Sequence, residues 1–154
     1  MEARMQHPVY VLPDALDALI ALGKAAEKSG ISKTVTNMAT LRASQINGCS
    51  VCVGMHAKEM RAAGESEERV YAVAAWRDTA LFTDAERAAL ALAESLTRLA
   101  DRPDPVPDEV WNEAAAHFSE TELSGLLLAI SAINVWNRLN AATRQIAGRV
   151  VKAS

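Results

Sequence analysis

Signals that start and stop helices recur along the whole chain, and no convincing run of alternating polar and apolar residues interrupts them. Pro13 sits as a first-turn proline ahead of Leu16, Leu19, Ile20 and Leu22 at helical spacing, with Gly30 closing the segment. A second helix is expected from about Ser32 to Ile46, stopped by Asn47-Gly48, and a third from Cys49 to Gly64. Ser66 caps a fourth. Thr83 and Glu86 have capping-box spacing, which opens an alanine-rich helix to about Ala100. Asp101 to Pro107, rich in proline, reads as a loop too short to separate domains. Pro107 then begins a short helix, and Ser119 with Glu122 opens a long apolar one ending near Gly148. The expectation is an all-α fold of about seven helices in a single domain over residues 1–154. Composition agrees: 30 of the 154 residues are alanine, a strong helix former, and aromatics are only 5%.

Charge and hydropathy exclude several functions. The net charge is −3 and no basic patch is visible, so nucleic acid is not an expected partner. The most apolar uncharged stretch, Leu123 to Asn137, is 15 residues, short of the roughly 20 that span a bilayer, so no membrane role is expected. The first dozen residues lack an apolar signal region. A cytoplasmic, reducing compartment is therefore expected, where two cysteines more often do chemistry than form a permanent staple. No nucleotide-binding glycine pattern is present, and no cofactor is expected.

Cys49-Ser50-Val51-Cys52 followed by His56 carries the chemistry. At 100° per residue, positions 49, 52 and 56 fall within a sector of about 60° on one helix. The Asn47-Gly48 break places both cysteines in a first turn, where free N–H groups and the dipole stabilise a thiolate. Three other readings compete. Two cysteines can simply be small buried apolar residues. Zinc could bind, but only three ligands cluster, and His7 and His117 stand in segments without a ligand partner. A thioredoxin fold would need a strand before the motif, and none precedes Ser44.

The run from Arg42 to His56 resembles the core signature of the alkylhydroperoxidase D-like branch of the carboxymuconolactone decarboxylase superfamily. Trp76-Arg77-Asp78-Thr79, the run Phe82 to Arg87, and the run Asn134 to Asn140 resemble it too. The likeness extends from about Leu41 to Arg144, with the core motif at about 41–100. It implies an all-α fold, trimers or hexamers, and a thiol-dependent peroxidase. Hydrogen peroxide or an alkyl hydroperoxide would be the substrate and an external thiol or dithiol the reductant. By similarity Cys52 would attack the peroxide, Cys49 would resolve the product as a disulfide, and His56 would be the base beside Cys52. The chain departs from the family pattern at Val51, where a histidine is usual, and at Asn37, where a relay glutamate is usual. Asparagine cannot pass a proton by titrating, so Gln45 and Glu86 are the candidates for a rebuilt relay. Alternatives from other classes are a lactone decarboxylase, whose members generally lack the cysteine pair, and a non-enzymatic thiol-redox sensor or adaptor. Asn134, Asn137 and Asn140, spaced by three on an apolar helix, could line a pocket, bridge subunits or bond internally. The apolar circumference of Leu123 to Trp136 suggests that a second subunit covers part of it.

Overall fold

The computed structural model describes residues 2–148. Eight α-helices lie among them, with no strand: α1 (Pro8–Val11), α2 (Pro13–Glu27), α3 (Lys33–Ile46), α4 (Ser50–Ala62), α5 (Glu67–Ala72), α6 (Asp84–Thr97), α7 (Asp108–His117) and α8 (Glu120–Thr143). The all-α expectation holds, and α2 to α8 are the seven helices anticipated. The additional α1 is a single turn capped by His7, whose Nδ1 accepts the Val9 N–H at 3.3 Å. Four residues are too few for a periodic signal, which is why the sequence hid this turn.

Local chemistry sets most boundaries. Thr83 with Glu86 and Ser119 with Glu122 form complete capping boxes at the starts of α6 and α8. α5 continues through a kinked 3₁₀ segment, Val73–Asp78, with Ala75 out of helical geometry. Three ends fall earlier than expected, α6 stopping at Thr97 rather than about Ala100. α2 stops at Glu27, three residues before Gly30. α8 stops at Thr143 rather than near Gly148, because Arg144 adopts a left-handed conformation (φ 53°). The Gln145 N–H then turns back to the Asn140 carbonyl at 2.9 Å, so a non-glycine residue does a job normally left to glycine.

The middle of α3 is buried on nearly every side, and the helix packs against α4, α6 and α8. Two apolar clusters flank it. One joins Val35 and Ala39 to Leu92, Leu126 and Ile130, and the other joins Met38 and Leu41 to Met60, Val73, Trp76 and Leu90. Truncating a fully buried side chain such as Leu90 to alanine costs about 2–5 kcal/mol. A charged clamp holds the second cluster's edge. The buried Glu94 carboxylate accepts from Arg42 Nε at 2.7 Å and Trp76 Nε1 at 2.9 Å, and pairs with Arg77. Burial alone would raise its pKa, but these donors hold it below the usual carboxylate value. The resemblance residues Trp76 and Arg77 thus have a structural role. On the other side, the end of α2 comes so close to α8 that a Cβ on Gly125 would lie 2.8 Å from the Ala26 carbonyl oxygen and 2.0 Å from Ser29 Oγ just beyond the helix.

Candidate functional site

The break between α3 and α4 builds the site. Gly48 takes φ 65°, a conformation costly for other residues, and the chain turns sharply enough that Cys49 becomes the N-cap of α4. Its Sγ accepts the Cys52 backbone N–H at 3.4 Å, replacing the usual oxygen cap. The two sulfurs lie 2.9 Å apart as free thiols, and both residues are buried, with Cys49 4% and Cys52 2% exposed. Asparagines from α8 brace this turn. Asn47 Nδ2 donates to the side-chain oxygens of Asn134 and Asn137, each at 2.9 Å. Asn137 Nδ2 donates to Ser44 Oγ at 3.2 Å. Asn140 Nδ2 donates to both sulfurs, at 3.3 Å to Cys52 and 3.6 Å to Cys49. All three asparagines bond internally, and Asn140, which also edges the cleft over Cys49, does so at the thiols.

One proton shared across a short S···S contact splits the two titrations. The hydrogen bond from Cys52 draws the Cys49 pKa down to about 6, helped by the Cys52 N–H and the asparagine amides against burial. Cys52 is pushed strongly upward, because its proton bonds the neighbouring thiolate and burial opposes a second charge. In this first turn of α4 the lowered pKa falls on Cys49 and the raised one on Cys52.

His56 lies on the same helix and hydrogen-bonds neither sulfur. Its Nδ1 bonds Glu59 Oε2 at 2.8 Å, and its Nε2 is buried without a hydrogen-bond partner. Burial lowers its pKa despite the Glu59 carboxylate, so the ring is neutral near pH 7. With Nδ1–H assigned to Glu59, Nε2 is an acceptor. It lines a cavity of about 480 Å³ with Asn37, Ile31, Ala129, Ile133 and Trp136. Asn37 Nδ2, at the position of the family's relay glutamate, is likewise buried and unpaired there. Ile133 and Trp136 pack on the cysteines from the cavity side. A separate cleft of about 570 Å³ opens over Cys49 and is edged by Asn140 and Arg144.

Gln45 and Glu86 are not brought to the pair. Gln45 accepts from Arg42 at 3.5 Å. Glu86 is engaged through both oxygens, with Arg69 at 2.6 Å and the Thr83 N–H at 2.8 Å. The carboxylate that does meet the imidazole is Glu59, whose i, i+3 spacing from His56 was a readable signal. No group of three or more His, Cys, Asp or Glu that could hold a metal occurs among the described residues. No helix among them is long and apolar enough to cross a membrane.

Comparison with known proteins places these features in a group. A profile of the carboxymuconolactone decarboxylase family matches residues 13–95. The uncharacterized protein YdfG of Bacillus subtilis (strain 168) is 33% identical over 132 residues, 86% of this chain and 88% of its own. Protein ATU0492 of Agrobacterium tumefaciens, a protein of unknown function suggested to be an antioxidant defence protein AhpD, superposes with a TM-score of 0.88. It is 34% identical and covers 97% of this chain and 100% of its own. The debrominase Bmp8 superposes with a TM-score of 0.77 at 25% identity, over 88% of this chain and 73% of its own.

Proposed function

The chain belongs to the carboxymuconolactone decarboxylase family, in its alkylhydroperoxidase D-like branch, and on that premise we propose that it is a thiol-dependent hydroperoxide reductase. The observation that carries this reading is the Cys49–Cys52 pair, reduced, 2.9 Å apart and bonded by Asn140. A thiolate of the pair attacks the peroxide, becomes a sulfenic acid and releases water or an alcohol. The second sulfur displaces hydroxide from that sulfenic acid and closes the disulfide. An external thiol or dithiol then restores the pair by exchange. His56, hydrogen-bonded to no sulfur, is proposed as a ligand-recognition group of the cavity it lines rather than as the base of the pair. Assembly into trimers or hexamers stands as part of the same proposal. Leu128 and Val135, seven residues apart on α8, are 39% exposed and offer an apolar stripe for another subunit, which light scattering tests.

Peroxide consumption in the presence of a dithiol donor tests the reaction. Wild type should consume peroxide catalytically, and a single oxidation should remove two free thiols per chain. An intact, reduced protein that leaves hydrogen peroxide and an organic hydroperoxide untouched would overturn the reading.

The likeness to the debrominase Bmp8 favours a second reading. The same two-electron couple could convert a carbon–bromine bond to carbon–hydrogen, releasing bromide and a proton as the disulfide forms. Bromide release from a brominated aromatic, measured on the same preparation, separates the two.

A further inference from the structure

We propose that Cys49, rather than Cys52, is the sulfur that attacks the peroxide in this chain. The inference rests on the hydroperoxide-reductase reading and assigns the order of events within it. Access is the first argument. Cys49 forms part of the wall of the cleft that opens beside Gly48, Asn140 and Arg144, whereas Cys52 is 2% exposed and lines neither that cleft nor the His56 cavity.

The donors are the second argument. As the N-cap of α4, Cys49 accepts a backbone N–H that Cys52 lacks, and its sulfur lies 2.9 Å from that of Cys52, while Asn140 is shared by both sulfurs. Cys49 is therefore the better seat for the negative charge, and its pKa of about 6 agrees. For Cys52 to attack first, its proton would have to leave, and His56 makes no bond to it. Arg144, on the rim of the cleft, adds a positive charge on the Cys49 side.

The third argument is that the proton is already where the reaction needs it. The Cys49 thiolate forms an S–O bond to the terminal peroxide oxygen, the O–O bond breaks, and the departing alkoxide takes the Cys52 proton to leave as alcohol. The new Cys52 thiolate attacks the Cys49 sulfenic acid at sulfur. The S–S bond forms, and hydroxide leaves and is protonated by solvent. In sum, one hydroperoxide, one thiolate, one thiol and one proton give one disulfide, one alcohol and one water.

Trapping experiments on single variants decide it. In Cys52→Ser, one equivalent of hydroperoxide should leave a sulfenic acid on Cys49, labelled by a dimedone-type probe and located by mass spectrometry. In Cys49→Ser, peroxide loss should fall to the buffer background, with no label at Cys52. In reduced wild type near pH 7, substoichiometric iodoacetamide should modify Cys49 first, a readout that needs neither variant nor peroxide. First labelling of Cys52 there, or a Cys52 sulfenate in a Cys49→Ser protein that still consumes peroxide, would overturn the assignment and leave the reductase reading intact. Wild type that consumes no hydroperoxide while Cys49 is still alkylated first would overturn the reductase reading, and the proposed attack with it.

Discussion

The two ends of the reactive stretch of α4 treat polar atoms in opposite ways. At Cys49 and Cys52 every sulfur has donors, drawn from the helix backbone and from Asn140 of α8. At His56, one turn further, Nε2 is buried with nothing bonded to it, and Asn37 Nδ2 on the same cavity is in the same condition. A satisfied site holds a charge ready before any substrate arrives. An unsatisfied one is costly to keep and stabilises whatever ligand completes it, since a buried unpaired polar group costs about 1–3 kcal/mol. On the proposed reading, the thiol end serves reactivity and the imidazole end recognition.

Removing Asn140 strikes the thiol end hardest. Hydrogen bonds to charged groups contribute about 1.5–3 kcal/mol, or about one to two pKa units, so Asn140→Leu should slow Cys49 alkylation at pH 7 roughly twofold to fifteenfold from a pKa of about 6. The rate profile should move to higher pH, and an unchanged profile would mean that Asn140 only braces the turn.

The pH dependence of stability should carry the same signature. Cys49 titrates at about 6 in the fold against an ordinary 9.0, so the stability it contributes is complete above about pH 9 and lost as pH falls through 6. Cys52 is shifted the other way, so above about 9 an unfolded chain ionises a thiol that the fold keeps protonated, and stability declines again. Urea unfolding of the reduced protein against a Cys49→Ser/Cys52→Ser double variant should show the difference rising between pH 6 and 9.

At the imidazole end the expected sign reverses. His56→Leu removes an unpaired buried atom, so the melting temperature should hold or rise by the equivalent of about 1 kcal/mol. Thiol titration should not move, because the ring hydrogen-bonds no sulfur. A lowered alkylation rate for Cys49 in that variant would erase the contrast between the two ends. The smallest effect is expected for Asn37→Asp, which puts a carboxylate on the wall of the His56 cavity. It should move the His56 pKa upward, measured by NMR titration.

What the sequence made legible was local. A capping box spans four residues and a glycine break spans two, so the starts of α6 and α8 and the turn before Cys49 could be read directly. Placing the cysteines in a first turn followed from that break. The partner that matters most, Asn140, lies 91 residues from Cys49, and no spacing rule links residues on different helices. Its recurrence with Asn134 and Asn137 marked a polar stripe without showing what the stripe faces. The imidazole's partner is hidden for a related reason: one turn of separation from Cys52 puts the ring on the side of the sulfurs, yet its Nδ1 bonds Glu59. α8 ran past its true end on paper because a left-handed arginine carries no sequence signal.

The sulfur cap on α4 has an electrochemical consequence. A couple is as oxidising as its reduced form is stable, because whatever stabilises the thiolate favours accepting electrons. Here the Cys52 N–H, the Cys52 thiol and the Asn140 amide all stabilise the reduced pair, and oxidation gives up the charge they serve. The disulfide should therefore be easily discharged by ordinary dithiols and would make a poor permanent crosslink. A helix cap, normally a device for ending a backbone neatly, would set the poise of the proposed couple.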